Sequence, residues 1–240
     1  MSELLIDSFF SLKQFKHRSL WKEGEPVWSA LYELKGYLEK APLGEILTPI
    51  PLNVHLERPE LISIGKGTLI EPGVFIQGPC IIGDGCIIRH GAYLRGDLIL
   101  GDRCVVGHSS ELKHSILLDG AAATHFVYVG DSILGKEANL GAGVKCANLR
   151  LDRREVTVRL EKTIWKTKLK KFGAVIGDGA QIGCNCVLNP GTLIGKESAC
   201  HPLLNIGGYI PPRSLVKGKI YLEIEPLDQR ILEQIGKRDV

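Results

Sequence analysis

From Ile64 onward an aliphatic side chain returns at every sixth position: Ile64, Ile70, Ile76, Ile82, Ile88, Leu94, Leu100, Val106, Leu112 and Leu118. Four residues after each stands a second, mostly small residue: Thr68, Val74, Cys80, Cys86, Ala92, Leu98, Cys104, Ser110, Ile116 and Ala122. The frame returns at Leu134, Leu140, Ile176, Ile182, Leu188, Ile194 and Ile206, with Ala138, Val144, Ala180, Cys186, Thr192 and Ser198 as partners. Glycine follows several of the aliphatics, at Gly65, Gly83, Gly101 and Gly107. A six-residue period with Gly-rich corners predicts a hexapeptide-repeat parallel β-helix, a mainly β fold. Each hexad is a short strand and a turn, and three hexads make a triangular coil. A single coil cannot bury its inner face, so stacking supplies the core. Roughly seven coils fit between Ile64 and Ser214.

The frame breaks twice. Leu118 and Leu134 stand 16 apart, not a multiple of six, and Thr124-His125-Phe126-Val127-Tyr128 lies between them. Near 149–172 the hexads vanish into LRLDRREVTVRLEKTIWKTKLKKF, a basic stretch with a strand-like VTVRL. Long departures from a regular coil tend to carry function, because a rigid scaffold positions them. Residues 3–15 and 27–39 show helical spacing (Leu4, Leu5, Phe9, Leu12; Trp28, Leu31, Leu34, Leu38), with Pro26 suited to a first turn. The expected organisation is a helical N-terminal cap and linker at 1–60, seated over the first coil, then a β-helix at 61–216. A tail at 217–240 follows, with a short helix at 226–236.

Composition narrows the function classes. The net charge of +3 suggests no nucleic-acid partner and leaves small phosphorylated ligands open. No apolar run approaches a membrane span, so no membrane insertion is expected. The start Met1-Ser2-Glu3 lacks the regions of a secretory signal. Seven cysteines with no export signal predict reduced thiols and a cytoplasmic setting. Cys80, Cys86, Cys104 and Cys186 fall in the small-residue column, and Cys146 and Cys200 in the aliphatic one. They read as core thiols. Cys184-Asn185-Cys186 has no second pair at zinc spacing, so no metal is expected.

The chemistry-bearing residues lie between Leu94 and Arg150: Leu94-Arg95-Gly96, Glu111-Leu112-Lys113, His125-Phe126-Val127-Tyr128-Val129-Gly130-Asp131, Asn139-Leu140-Gly141-Ala142-Gly143 and Ala147-Asn148-Leu149-Arg150. In combination these resemble the acetyltransferase domain of bifunctional sugar-1-phosphate nucleotidylyltransferase / glucosamine-1-phosphate N-acetyltransferases, which serve UDP-N-acetylglucosamine synthesis. The resemblance runs from about Ile62 to Val216 and implies that the β-helix is left-handed. It implies acetyl-CoA as co-substrate, an amino-sugar-1-phosphate as acceptor and a homotrimer with sites between chains. It also implies His125 as general base, with Glu111 as the carboxylate orienting it. Arg95 and Lys113 match positions that hold the sugar phosphate, and Tyr128, Asn139 and Asn148 match sugar or donor contacts. The Ala142 N–H matches the position that holds the thioester carbonyl.

Physical chemistry supports such roles. An amino sugar arrives as an ammonium, and a base must remove a proton before it attacks a thioester; histidine suits that task near neutrality. Arg and Lys suit a phosphate. The run Lys162, Lys166, Lys168, Lys170 and Lys171 reads as a solvated hairpin, or as an anchor for a phosphate-rich donor, with Lys170 and Lys171 the candidates. The chain departs from the pattern in three ways. Residues 1–60 lack the Gly-rich loop of a nucleotidylyltransferase, so uridylyl transfer is not expected. Leu149 stands where one branch has Tyr. Thr124 and Phe126 flank the histidine where small residues and Leu are usual, which bears on sugar preference.

Three other readings share the fold. A hexapeptide-repeat carbonic anhydrase would use three histidines, and His90 and His108 stand one coil apart with His114 six further on. That last spacing differs from the five residues usual there. Acyl-carrier-protein-dependent acyltransferases lack the Glu-Leu-Lys and Tyr-Val-Gly-Asp context. A non-catalytic assembly or regulatory β-helix is the third.

Overall fold

The computed structural model describes residues 2–160, 162–219 and 226. Three parallel sheets of eight strands each wind around a common axis. The first sheet begins at His55–Glu57 and Phe75–Gln77 and ends at Asn205–Ile206. The second runs from Ile62–Ile64 to Tyr209–Ile210, and the third from Leu69–Ile70 to Leu215–Val216. Every neighbour in the three sheets comes from the next coil, as a solenoid requires. The interior is the predicted column of aliphatics with Cys80, Cys86, Cys104, Cys146, Cys186 and Cys200 among them. Each sheet stacks eight strands where roughly seven coils were expected, and the first sheet starts early, with His55–Glu57 pairing with Phe75–Gln77 ahead of the first regular hexad.

The first frame break is not an excursion. Ser115 pairs with Leu98, Tyr128 with Glu111 and Ile133 with Ile116, so successive coils here are 17 residues long. Each of two successive coils lacks one residue, and the chain stays in the coil. A shift of one reverses which face each side chain occupies. Leu117, Ala121 and Ala123 therefore enter the interior. Leu118 and Ile116, expected inside, instead face outward into a second apolar cluster, and Ala122 is partly exposed. Stacking is close at Gly107, where any Cβ would overlap the Thr124 carbonyl of the next coil.

The N-terminal segment also differs from expectation. It does not lie over the first coil but runs along the outer face of the second sheet. Residues 3–15 form short 3-10 turns at Ser2–Leu4 and Ile6–Ser8, and Val27–Ser29 leads into the one α-helix among the described residues, Ala30–Lys40. Phe9, Phe10, Trp28, Leu31 and Leu34 bury themselves against Ile99, Ile116, Ile133, Val175 and Leu193. Polar ties fix the path: the Ser11 N–H donates to Asp178 (2.7 Å) and Lys16 meets Asp84 and Asp102 (3.2 and 3.0 Å). His114 Nε2 meets the Leu31 carbonyl (3.1 Å). The cause is visible in the strands. Leu98–Leu100, Ser115–Leu117, Ala174–Ile176 and Thr192–Ile194 are buried at every position. A sheet apolar on both faces must be covered on both.

The second break is a true excursion. Thr157–Leu160 and Thr163–Lys166 form an antiparallel hairpin that leaves the coil after Lys145–Cys146 and rejoins it at Ala174. Val156, Val158 and Leu160 join the apolar cover of the second sheet. The helix expected at 226–236 lies outside the described residues, and no helix of the described chain is long and apolar enough to cross a membrane.

Candidate active site

The second sheet is covered, so the free faces are the first and third. The outer face of the first sheet carries most of the expected site. Glu111 stands in register between Tyr93 and Tyr128. Arg95 Nη1 donates to Glu111 Oε1 at 2.6 Å, and the Arg95 guanidinium lies 5.7 Å from the Tyr93 ring centroid. One coil along, Lys113 Nζ lies 3.4 Å from Asp131 Oδ2, and Asn148 Nδ2 donates a short hydrogen bond to the same oxygen. Asn148 also meets the Tyr128 hydroxyl. Burial raises the Tyr128 phenol above its ordinary value, with the negative charges of Asp131 and Glu111 acting the same way, so it stays a donor at neutral pH. The cluster closes only because residue 130 is glycine: a Cβ there would stand 2.6 Å from both Asn148 Nδ2 and Tyr128 Oη.

Asp131 is the residue that the sequence reasoning left without a role. Its side chain is 7% exposed, and it ties Lys113 to Asn148. The available signal was its place just after Gly130, at a corner where it adopts φ 46°.

His125 lies elsewhere. It ends the strand Ala122–His125 of the third sheet, at the corner leading into the first, in register with His108. His90 and His108 stack in the same column, their ring centroids 5.7 Å apart. Nδ1–H of His90 donates to the Pro72 carbonyl (2.6 Å) and that of His108 to the His90 carbonyl (3.0 Å). A carbonyl only accepts, so these contacts fix both tautomers. His125 is exposed, and neither of its ring nitrogens meets a described partner. Glu111 does not touch it. Within one chain that carboxylate pairs with Arg95, so the expected His125–Glu111 pairing is not made inside a single protomer; His125 lies in the third-sheet column, away from the first-sheet cluster. His114, which the anhydrase reading would need, instead faces the helix and Asp97 (3.6 Å).

Ala142 stands one coil beyond His125 at the same corner, since the Gly143 N–H donates to the His125 carbonyl. The Ala142 N–H has no described acceptor. Asn139 lies on the third sheet in register with Ala122. Lys170 and Lys171 are exposed at the foot of the hairpin, where Lys171 bridges to Leu149 beside Asn148. A cavity of about 510 Å³ opens there, lined by Ala147, Leu149, Arg150, Leu151, Asp152, Asn189 and Pro190. The expected residues thus form two groups on adjoining features. Arg95, Glu111, Lys113, Tyr128 and Asn148 share the first sheet; His125, Asn139 and Ala142 occupy the third sheet and its corner. No group of three or more His, Cys, Asp or Glu side chains among the described residues is arranged to hold a metal ion.

Comparison with known proteins gives several likenesses. Residues 76–172 match the family described as the GMPPB C-terminal domain. Over 88 residues the chain is 36% identical to a bifunctional sugar-1-phosphate nucleotidylyltransferase/acetyltransferase of Sulfurisphaera tokodaii, covering 37% of this chain and 22% of that protein. Over 84 residues it is 42% identical to the bifunctional protein GlmU of Methanococcus vannielii, covering 35% and 20%. The match therefore spans about a fifth of these relatives' length. A protein of Escherichia coli K12 described as an uncharacterized acetyltransferase, YaiX, is 31% identical over 194 residues, covering 80% of this chain and 84% of that one. Among solved structures, the UDP-N-acetylglucosamine acyltransferase of Campylobacter jejuni aligns with 70% of this chain and 69% of its own at 14% identity and a TM-score of 0.47.

Proposed function

The chain belongs to the hexapeptide-repeat acetyltransferase family that includes the Escherichia coli protein, and from that premise we propose that it transfers an acetyl group from acetyl-CoA to the amine of an amino-sugar-1-phosphate. The observation that carries the reading is the pairing of two features: a polar cluster of Arg95, Glu111, Lys113, Tyr128 and Asn148 on one open face, and an unengaged His125 on the adjoining corner. In the proposed reaction neutral His125 takes a proton from the substrate ammonium. The freed amine attacks the thioester carbonyl, and the Ala142 N–H donates to the oxyanion that develops. Collapse of that intermediate forms the amide and breaks the C–S bond. The coenzyme leaves as the thiolate and takes up the second proton, which the substrate nitrogen releases as the amide forms. Lys170 and Lys171 would meet the donor's phosphates, and Leu149 and Leu151 its apolar tail.

The two groups of residues sit on different features of one chain, so the proposed assembly is a homotrimer in which the corner of one protomer faces the first sheet of its neighbour. Glu111 of one chain can then orient the histidine of another. One observation favours a second acceptor. Arg95 and Lys113 are each already paired with a carboxylate, at 2.6 and 3.4 Å. A phosphate must compete for them, whereas an unphosphorylated amino sugar would use these pairs as hydrogen-bonding groups. Thiol release from acetyl-CoA with glucosamine-1-phosphate, galactosamine-1-phosphate and glucosamine decides between the two. Turnover with none of the three would leave acetyl transfer to amino sugars without support.

A further inference from the structure

Phe126 is out of place for packing. It follows His125 at a corner with φ 53°, and its side chain is 57% exposed. The left-handed region disfavours a bulky residue and suits glycine. The equivalent corner in the other coils is mostly small or polar, at Gly73, Gly91, Ser109, Gly143 and Asn185, with Leu203 the one other bulky residue in the column. Among the described positive-φ residues Phe126 is the only phenyl, phenol or indole. Burial does not offset the conformational cost, because most of the ring is in water. An exposed aromatic in a disfavoured backbone state, next to an unengaged histidine, points to a ligand rather than to the core.

The ring is also held. It meets His108 edge to face, with centroids 5.2 Å apart and planes at 78°. His108 stands in register with His125, and its tautomer is fixed by the His90 carbonyl. The phenyl is thus folded back onto the histidine column instead of projecting freely. An amine within hydrogen-bond reach of His125 brings the ring that bears it beside residue 126. A pyranose presents C–H groups on one face, and those pack on an aromatic ring. We infer that Phe126 is the platform for the sugar ring of the acceptor, a specificity-determining residue that holds the pyranose while His125 handles its amine. The inference rests on the acetyl-transfer reading for the acceptor's class, and it is tested by binding so that the two separate.

The experiment compares wild type with Phe126→Gly, Phe126→Leu and Phe126→Tyr, using glucosamine and glucosamine-1-phosphate as probes in calorimetry. The glycine and leucine variants should bind sugar about three- to tenfold more weakly, the weight of one ring contact. Phe126→Tyr should bind as wild type does. Coenzyme A affinity should hold in all four. Phe126→Gly should unfold at or above the wild-type temperature, since glycine accepts the backbone without strain. Loss of binding with gained stability is the signature of a functional residue. Sugar affinity unchanged in the glycine and leucine variants would overturn the inference, as would a wild type that binds neither probe. A drop in native mass in Phe126→Gly would overturn it too, assigning the ring to contact between copies. A wild type that binds sugar but releases no thiol would sink acetyl transfer and leave the Phe126 comparison readable.

Discussion

At the scale of single residues, exposure separates what is structural from what is chemical. Cys146 is fully buried, and burial pushes its thiol up to about 12, while Cys200 is pushed up to about 11. Neither forms a thiolate near neutrality. Among the cysteines only Cys184 is exposed. Thiol titration of the native protein should therefore find one reactive group, against the seven in the sequence after denaturation. More than one fast thiol would contradict the buried columns. The same logic separates the histidines. His90, His108 and His114 spend a ring nitrogen on a backbone carbonyl, and His125 does not. His125→Ala should lower turnover about 10²–10⁴-fold with little change in substrate binding. Arg95→Ala should weaken acceptor binding and matter less at saturation. Wild-type turnover by a folded His125→Ala protein would remove the general-base role. Gly130→Ala tests the cluster itself, because its methyl must displace Tyr128 or Asn148; acceptor affinity should fall while the coil stays folded.

At the scale of elements, the sequence was most readable where one rule governs. The inward aliphatic column and the cysteine positions follow from the period alone. The hairpin at Thr157–Leu160 and Thr163–Lys166 announced itself by breaking that period. Two things were harder to see. A one-residue shortening leaves each segment locally regular, so Leu118 and Ile116 looked like interior residues until the register was known. The path of residues 2–29 depends on a surface far along the chain. Its signal was present, in that the second-sheet strands from Cys80–Ile82 to Thr192–Ile194 carry an aliphatic at the intervening position too, as in Leu98-Ile99-Leu100. Such a strand needs an outer cover, and the aromatic N-terminal segment is the one available. Phe10 is 0% exposed within that cover, so Phe10→Ala should cost about 3–5 kcal/mol in chemical denaturation. His17 gives the same segment a pH dependence. Burial, and then the Lys16 charge, lower its pKa, and Nδ1 meets the Tyr37 hydroxyl at 2.9 Å. A lowered histidine pKa contributes stability that is complete above its unfolded value of about 6.5 and lost as pH falls below it. Stability should therefore fall as pH drops below about 6.5, and His17→Gln should flatten that fall.

At the scale of the whole molecule, the division of the expected site becomes the main constraint. One face of the prism is closed by the chain's own N-terminus and hairpin. The first-sheet cluster and the His125 corner remain open, and the carboxylate expected beside His125 is occupied by Arg95 of the same chain. In a cyclic trimer each site would combine the corner of one protomer with the first sheet of the next. Light scattering should then give three times the chain mass, and a mass near 26.3 kDa would remove the assembly. Mass alone does not show that sites are shared, but complementation does. His125→Ala chains keep an intact first sheet, and Arg95→Ala chains keep an intact corner. Each homotrimer should be impaired in its own way, one in turnover and the other in acceptor binding. Refolding an equal mixture should create sites with both halves intact wherever an Arg95→Ala corner meets a His125→Ala sheet, about one quarter of all sites by random assembly. Activity at low acceptor concentration should recover to about that fraction of wild type, and mixing preformed trimers without unfolding should recover none. If both halves act within one chain, every chain in the mixture carries a defect, and refolding should restore nothing beyond the sum of the two variants.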